Sequence, residues 1–138
     1  MFDELKKYKH NGHFFFKSGD NLSVVSKEVP ALQGVYYILR LAKGNVDLVY
    51  IGKSGTIEQN GKFKDQSLRG RLNNKHGNLR RQDYFEMKCI EENIDALDIY
   101  WFVTVEKGIQ ALPGYVEGVL IQRFFEVHGH LPLWNKSF

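Results

Sequence analysis

The side chain most out of keeping with its setting is a glutamate. Residues 113–128 read as a helix, and on a wheel of about 100° per residue Val116, Leu120, Phe124 and Val127 form its core stripe. Glu117 falls at the edge of this apolar arc, between Phe124 and Ile121, whereas Glu126 falls on the side of Arg123 and Gln122. Burying a carboxylate among apolar groups costs on the order of several kcal/mol unless something pairs with it. Glu117 is therefore either half of a structural salt bridge or a carboxylate kept for catalysis or metal binding. Two tyrosines raise a similar question. Gly34-Val35-Tyr36 opens one apolar run, and Tyr50-Ile51-Gly52-Lys53 closes the next. A strand tyrosine ordinarily packs in a core or along a sheet. Arg40 and Arg71 are ordinarily surface charges, and His76 is ordinarily a solvated helix residue. None of these signals decides a function alone; their combination does.

The elements that must position these residues follow from periodicity. Residues 34–41 alternate as a strand, with Val35, Tyr37, Leu39 and Leu41 on one face and Tyr36, Ile38 and Arg40 on the other. Lys43-Gly44-Asn45 is a hairpin turn, and Leu48 to Lys53 is the returning strand. Both faces of the hairpin are largely apolar, which predicts cover on both sides. After a polar loop, Ser67 to Asn78 reads as a helix with Gly77 near its end. Leu79 to Ala96 is ambiguous, and its acids Glu91, Glu92 and Asp95, with Asp98, read as a solvated loop. Ile99 to Val105 is a clear strand. The last helix has Pro113 where a first turn tolerates proline and Gly129 where a helix stops. This order, β-β-α-β-α, predicts a small α+β domain over residues 30–138, with a central antiparallel or mixed sheet of about three strands flanked by helices. Residues 1–29 read as an N-terminal extension in which Phe14-Phe15-Phe16 is an edge strand or an anchor.

At 138 residues the chain suits one domain with one core. Its single cysteine, Cys89, excludes an internal disulfide and a thiolate zinc site, so a reducing, cytoplasmic setting is the default. No apolar run is long enough to span a bilayer. The net charge of +3 is mild, but its distribution is uneven. Between Asn60 and Lys88 the cations Lys62, Lys64, Arg69, Arg71, Lys75, Arg80, Arg81 and Lys88 face only three acids, a local +5 that leaves −2 for the rest. Such a patch suits a polyanionic partner such as nucleic acid, or is simply a solvated face.

Taken together, the motif residues resemble the GIY-YIG nuclease superfamily. Gly34-Val35-Tyr36 is similar to the GIY element with valine for isoleucine, and Tyr50-Ile51-Gly52 matches YIG. The tyrosines are 14 residues apart across a turn, and Lys53 follows as it does in excision-repair members. Leu68-Arg69-Gly70-Arg71-Leu72 resembles the family's arginine helix, which points to Arg71, with Arg69 as the fallback. His76 lies five residues after Arg71, where some members place a histidine four after. Glu117 fits the family's glutamate, and Asn135 in Pro132-Leu133-Trp134-Asn135 its terminal asparagine. The resemblance covers roughly residues 33–138. It departs at the loop 56–66, at 79–96 and in the first 29 residues.

What the resemblance implies is a divalent-metal-dependent endonuclease acting on double-stranded DNA. Glu117 would hold Mg²⁺ or Mn²⁺, ions that favour oxygen ligands and keep water. Tyr36 would serve as general base or water-orienting group, helped by a cation from Lys53 or Arg71, because a free phenol titrates near pH 10. Tyr50 would bond the water or the phosphate, Arg71 would hold the phosphate, and Asn135 would orient phosphate or a group bound to the metal. His76 would join them, while Lys62, Lys64, Arg69, Lys75, Arg80 and Arg81 would contact the DNA. A restriction-type enzyme, cutting both strands as a homodimer, is the leading expectation, followed by a mobile-element nuclease and then a repair-type nicking nuclease. The rivals are a catalytically silent nucleic-acid-binding protein and a zinc hydrolase built on His10, His13, His128 and His130. Those histidines lie in terminal loops without an obvious carboxylate partner.

Overall fold

In the computed structural model, residues 2–64, 67–76 and 78–138 are described, without the side chains of Lys75 and His76. A short 3-10 helix (Asp3–Lys7) leads into β1 (Asn11–Phe16) and the one-turn α1 (Leu22–Val25). The hairpin β2 (Gln33–Ala42) and β3 (Asn45–Lys53) follows, then α2 (Leu68–Asn73), the short pair β4 (Lys75–His76) and β5 (Leu79–Arg80), and α3 (Arg81–Glu91). The chain ends with β6 (Ala96–Glu106), β7 (Ile109–Gln110) and α4 (Pro113–His128).

The fold class is α+β, but the sheet is larger than expected. Five antiparallel strands run in the order β1-β6-β2-β3, with β7 against the end of β6. The expectation of about three strands missed β1 because its six residues carry little alternation. Phe14-Phe15-Phe16 is an edge strand, paired with Ile99, Asp98 and Leu97. The first 29 residues also supply Phe16, Leu22 and Val29 to one core and Phe2, Leu5 and Tyr8 to the other, so they pack as part of the same body.

The hairpin turns where the sequence indicates. Ala42 pairs with Asn45 across Lys43 and Gly44, both at positive φ, the two-residue turn that matches strand twist. Its alternation separates two cores. Tyr36, Ile38 and Val49 point to the side covered by α2 and α3, and Val35 and Ile51 to the side covered by α4. Helix α4 spans Pro113–His128, with proline in its first turn and Gly129 left-handed at its C-cap. Its core stripe needs one correction: Val127 is 74% exposed, and Ile121 takes its place beside Val116, Leu120 and Phe124.

The largest departure lies in residues 67–98. Helix α2 ends at Asn73, so Leu79 falls outside it, in β5, and is exposed. Gly77 lies outside the described residues. The ambiguous stretch forms α3, whose Arg81, Tyr84, Phe85 and Cys89 recur at helical spacing and are buried. Of the acids expected in a solvated loop, Glu91 and Asp95 are exposed, but Glu92 and Asp98 are not loop residues in solvent. Glu92 binds Arg40 and accepts from Trp134 Nε1 at 3.3 Å, and Asp98 sits in β6, buried. Among the described residues no helix is long and apolar enough to cross a membrane.

Candidate active site

The site lies where the two ends of the hairpin meet. Tyr36 is paired with Gly52, and Val35 with Lys53. Both motif glycines are required by close approach. A Cβ on Gly34 would lie 1.9 Å from the Phe102 carbonyl oxygen, at the bulge where β2 leaves the register of β6. A Cβ on Gly52 would lie 2.7 Å from Tyr36 Cζ and Oη and from Tyr50 Cε2. Glycine at 52 therefore leaves the space in which the two phenol rings meet, with centroids 5.9 Å apart. Ser54 locks the hairpin end: its N–H donates to the Gly34 carbonyl at 3.0 Å, and its Oγ accepts from the Gly34 N–H at 2.9 Å.

Tyr36 is fully buried, and its hydroxyl meets no partner at hydrogen-bonding geometry. The Tyr50 phenol lies near enough to raise its pKa without that geometry being met. Burial is the largest influence and pushes the Tyr36 phenol well above its ordinary value; Arg81 and then Arg71 act against it. Two expectations change. The cations beside Tyr36 are Arg81 and Arg71, whereas Lys53 faces Glu117. Tyr36 also stays protonated, because desolvation outweighs both guanidinium groups.

Arg81 is the residue whose role sequence reasoning missed. It was expected on the DNA-binding surface, yet it is 1% exposed, at the start of α3. Its Nε and Nη1 are buried without hydrogen-bond partners, and its guanidinium lies 5.7 Å from the Tyr50 ring centroid. A buried guanidinium with unused donors is costly. The signal was present: Arg81 shares the i, i+3, i+4, i+8 stripe of Tyr84, Phe85 and Cys89, as Glu117 shares that of α4.

Glu117 is half-buried on α4, and burial raises its carboxyl pKa, with Lys53 and then Arg71 opposing. Among the described residues it makes no ion pair within 4.0 Å, so the salt-bridge explanation fails. Lys53 runs along the start of α4, its Cδ 4.0 Å from where a Gly114 Cβ would sit, and its Nζ donates to the Gly55 carbonyl at 3.0 Å. Arg71 is exposed on α2 and acts on both Tyr36 and Glu117, joining the buried and open halves of the site.

The remaining residues divide. Asn135 is committed to the backbone: its Oδ1 accepts from the Ile51 N–H at 3.0 Å and its Nδ2 donates to the Ile51 carbonyl at 2.9 Å. With Trp134 N–H on the Val49 carbonyl at 2.8 Å, it closes the outer edge of β3 between Tyr50 and Gly52. Asn135 thus holds the edge of β3 through one donor and one acceptor site of its amide. Arg69 ties the N-terminal segment down, donating to the Val29 carbonyl at 2.7 Å, whereas Arg71 lies near Tyr36 and Glu117. Lys62 and Lys64 are exposed on the loop, and Arg80 is exposed and pairs with Asp83 at 3.1 Å. The side chains of Lys75 and His76 lie outside the described residues. Of the terminal histidines, His10 pairs with Glu106 at 3.1 Å and His13 with Asp98 at 2.8 Å, so both have carboxylate partners after all. Among the described residues no three His, Cys, Asp or Glu side chains are grouped to hold a metal.

Compared with models of known protein families, with curated proteins and with solved structures, the chain finds no match.

Proposed function

We propose that the chain is a divalent-metal-dependent endonuclease of GIY-YIG type that hydrolyses phosphodiester bonds in DNA, of the restriction or mobile-element kind. The observation that carries this reading is a pair of charges around two tyrosines: Glu117, which makes no ion pair among the described residues, and Arg81, whose Nε and Nη1 are buried without a hydrogen-bond partner there. Burying unpaired charge is expensive, and a ligand that brings both an anion and a cation resolves both costs. A phosphodiester with a divalent ion is such a ligand. One carboxylate, with water and phosphate oxygens completing the shell, would suit a hard ion such as Mg²⁺ or Mn²⁺.

Glu117 would hold the ion, which when bound neutralises phosphate charge and stabilises the leaving oxygen. Arg71 and Arg81 bind the phosphate, and guanidinium donors suit its geometry better than an ammonium. Tyr36, kept protonated by burial, donates a hydrogen bond that aims the attacking water or the phosphate; it does not take a proton. Tyr50 borders the same space. Water attacks phosphorus as the old P–O bond breaks. The water proton leaves to solvent and the leaving oxygen takes one back, giving a phosphate monoester and an alcohol. Asn135 and Gly52 hold β3 so that both phenols keep their places.

Purified protein is expected to cut long DNA with Mn²⁺ or Mg²⁺ and to be silent in EDTA. Unchanged cleavage by Glu117→Gln and Tyr36→Phe would sink the assignment. The full burial of Tyr36 favours a second reading, a silent nucleic-acid-binding protein. That reading expects salt-dependent DNA binding with no cleavage of any substrate by any divalent ion.

A further inference from the structure

A cavity of about 520 Å³ adjoins the candidate reaction centre. Its walls include Tyr50, Tyr84 and Trp134, with Met87, Asn78 and Lys136 completing the aromatic, apolar and polar character. Tyr50 belongs both to this wall and to the Tyr36–Arg81 cluster. The aromatic walls are held rigidly. Tyr84 and Trp134 meet edge to face at 5.9 Å and 87°, Lys88 lies 5.7 and 5.5 Å over their rings, and Trp134 Nε1 donates to Glu92. The volume lies within the range of small-ligand sites, and convergent rings beside a few polar groups are the mark of one.

We propose that this cavity takes one unpaired nucleobase of the bound strand, next to the phosphate held at Arg81. The inference rests on the nuclease reading and narrows its substrate class to DNA with an extrahelical or single-stranded base at the cut. Three features join in it. Ring faces stack any base. The Asn78 amide and Lys136 ammonium offer hydrogen bonds to base edges. The Arg81 guanidinium lies 5.7 Å from the centroid of the Tyr50 ring, which joins the cavity to the candidate reaction centre. A base paired within a duplex has both faces covered by its neighbours and its edge engaged, so it enters only when unpaired. Preference for an unpaired base thus becomes a property of the fold rather than of the basic loop.

The test measures binding of a duplex bearing one bulged 2-aminopurine, and of the matching continuous duplex, to the full chain in EDTA. Wild-type protein is expected to bind the bulged DNA about tenfold more tightly, as stacking of one base provides, and to quench the 2-aminopurine fluorescence. Asn78→Trp, which fills the cavity from its exposed rim, and Tyr84→Leu, which removes a wall, should both lose the preference while keeping affinity for the continuous duplex. The melting temperature of each variant identifies one that has failed to fold, and Asn78→Trp alters no buried contact. Equal affinity for both DNAs with unchanged fluorescence overturns this inference and leaves the nuclease reading intact. Failure to bind either DNA at low salt overturns both.

Discussion

Among the described residues two charged side chains are buried, Asp98 and Arg81, and their settings differ. On β6, between β1 and β2, Asp98 is buried, yet His13 of the edge strand β1 meets it at 2.8 Å and stacks on Tyr100 at 4.6 Å. At the hairpin end Arg81 is buried with unused donors, and half-buried Glu117 makes no ion pair among the described residues. The first setting is complete as it stands and stiffens the junction of β1 and β6. The second is incomplete and is stabilised only when something else arrives. Polar groups matched within the protein serve structure, whereas unmatched ones at the hairpin end leave hydrogen-bonding capacity for water, an ion or a ligand.

Substitutions sharpen the contrast. Glu117→Gln is expected to lower cleavage on the order of 10³-fold or more, read as initial rates on long DNA. Its stability should move the other way. The raised carboxyl pKa means that Glu117 favours the fold while protonated, at low pH, and that this contribution is lost as pH rises through the folded-state value. The melting temperature of Glu117→Gln should therefore exceed wild type increasingly as pH rises to neutral and match it in acid. Arg81→Met should cost about 10²-fold in rate and raise stability by roughly 1–3 kcal/mol in chemical denaturation, since it removes unpaired buried donors. At the complete setting the signs reverse: His13→Ala should cost about 1–3 kcal/mol by leaving Asp98 unpaired and leave cleavage unchanged. Asn135→Ala should lose about 1–2 kcal/mol, with the Ile51 N–H and carbonyl both exposed to the loss. The smallest effect belongs to Lys62→Ala with Lys64→Ala, which should flatten the salt dependence of DNA binding by about two phosphate contacts without altering its site of cleavage.

The sequence makes the hairpin and the last helix legible because their signals are local. Alternation assigns Tyr36 and Val35 to opposite faces, Lys43-Gly44 sets the turn, and Pro113 and Gly129 bound α4. Strand β1 is hidden because Asn11–Phe16 is stabilised by its pairing with β6, some 85 residues away, rather than by its own pattern. Arg81 is hidden by its type. A run of cations reads as a basic surface, and only the helix of 81–91 turns this one inward. The pairing of Asn135 with Ile51 is also hidden, because nothing in Pro132-Leu133-Trp134-Asn135 foretells that its amide binds the backbone of β3. Local chemistry thus singles out Tyr36, Tyr50, Lys53 and Glu117 as candidates, while long-range packing decides which cations face them.

The most direct test compares wild type and Glu117→Gln on the same long DNA with Mn²⁺, with cleavage products resolved over time. The account predicts discrete products from wild type and none from the variant, which melts at or above the wild-type temperature at neutral pH. Equal cleavage by both proteins would contradict it.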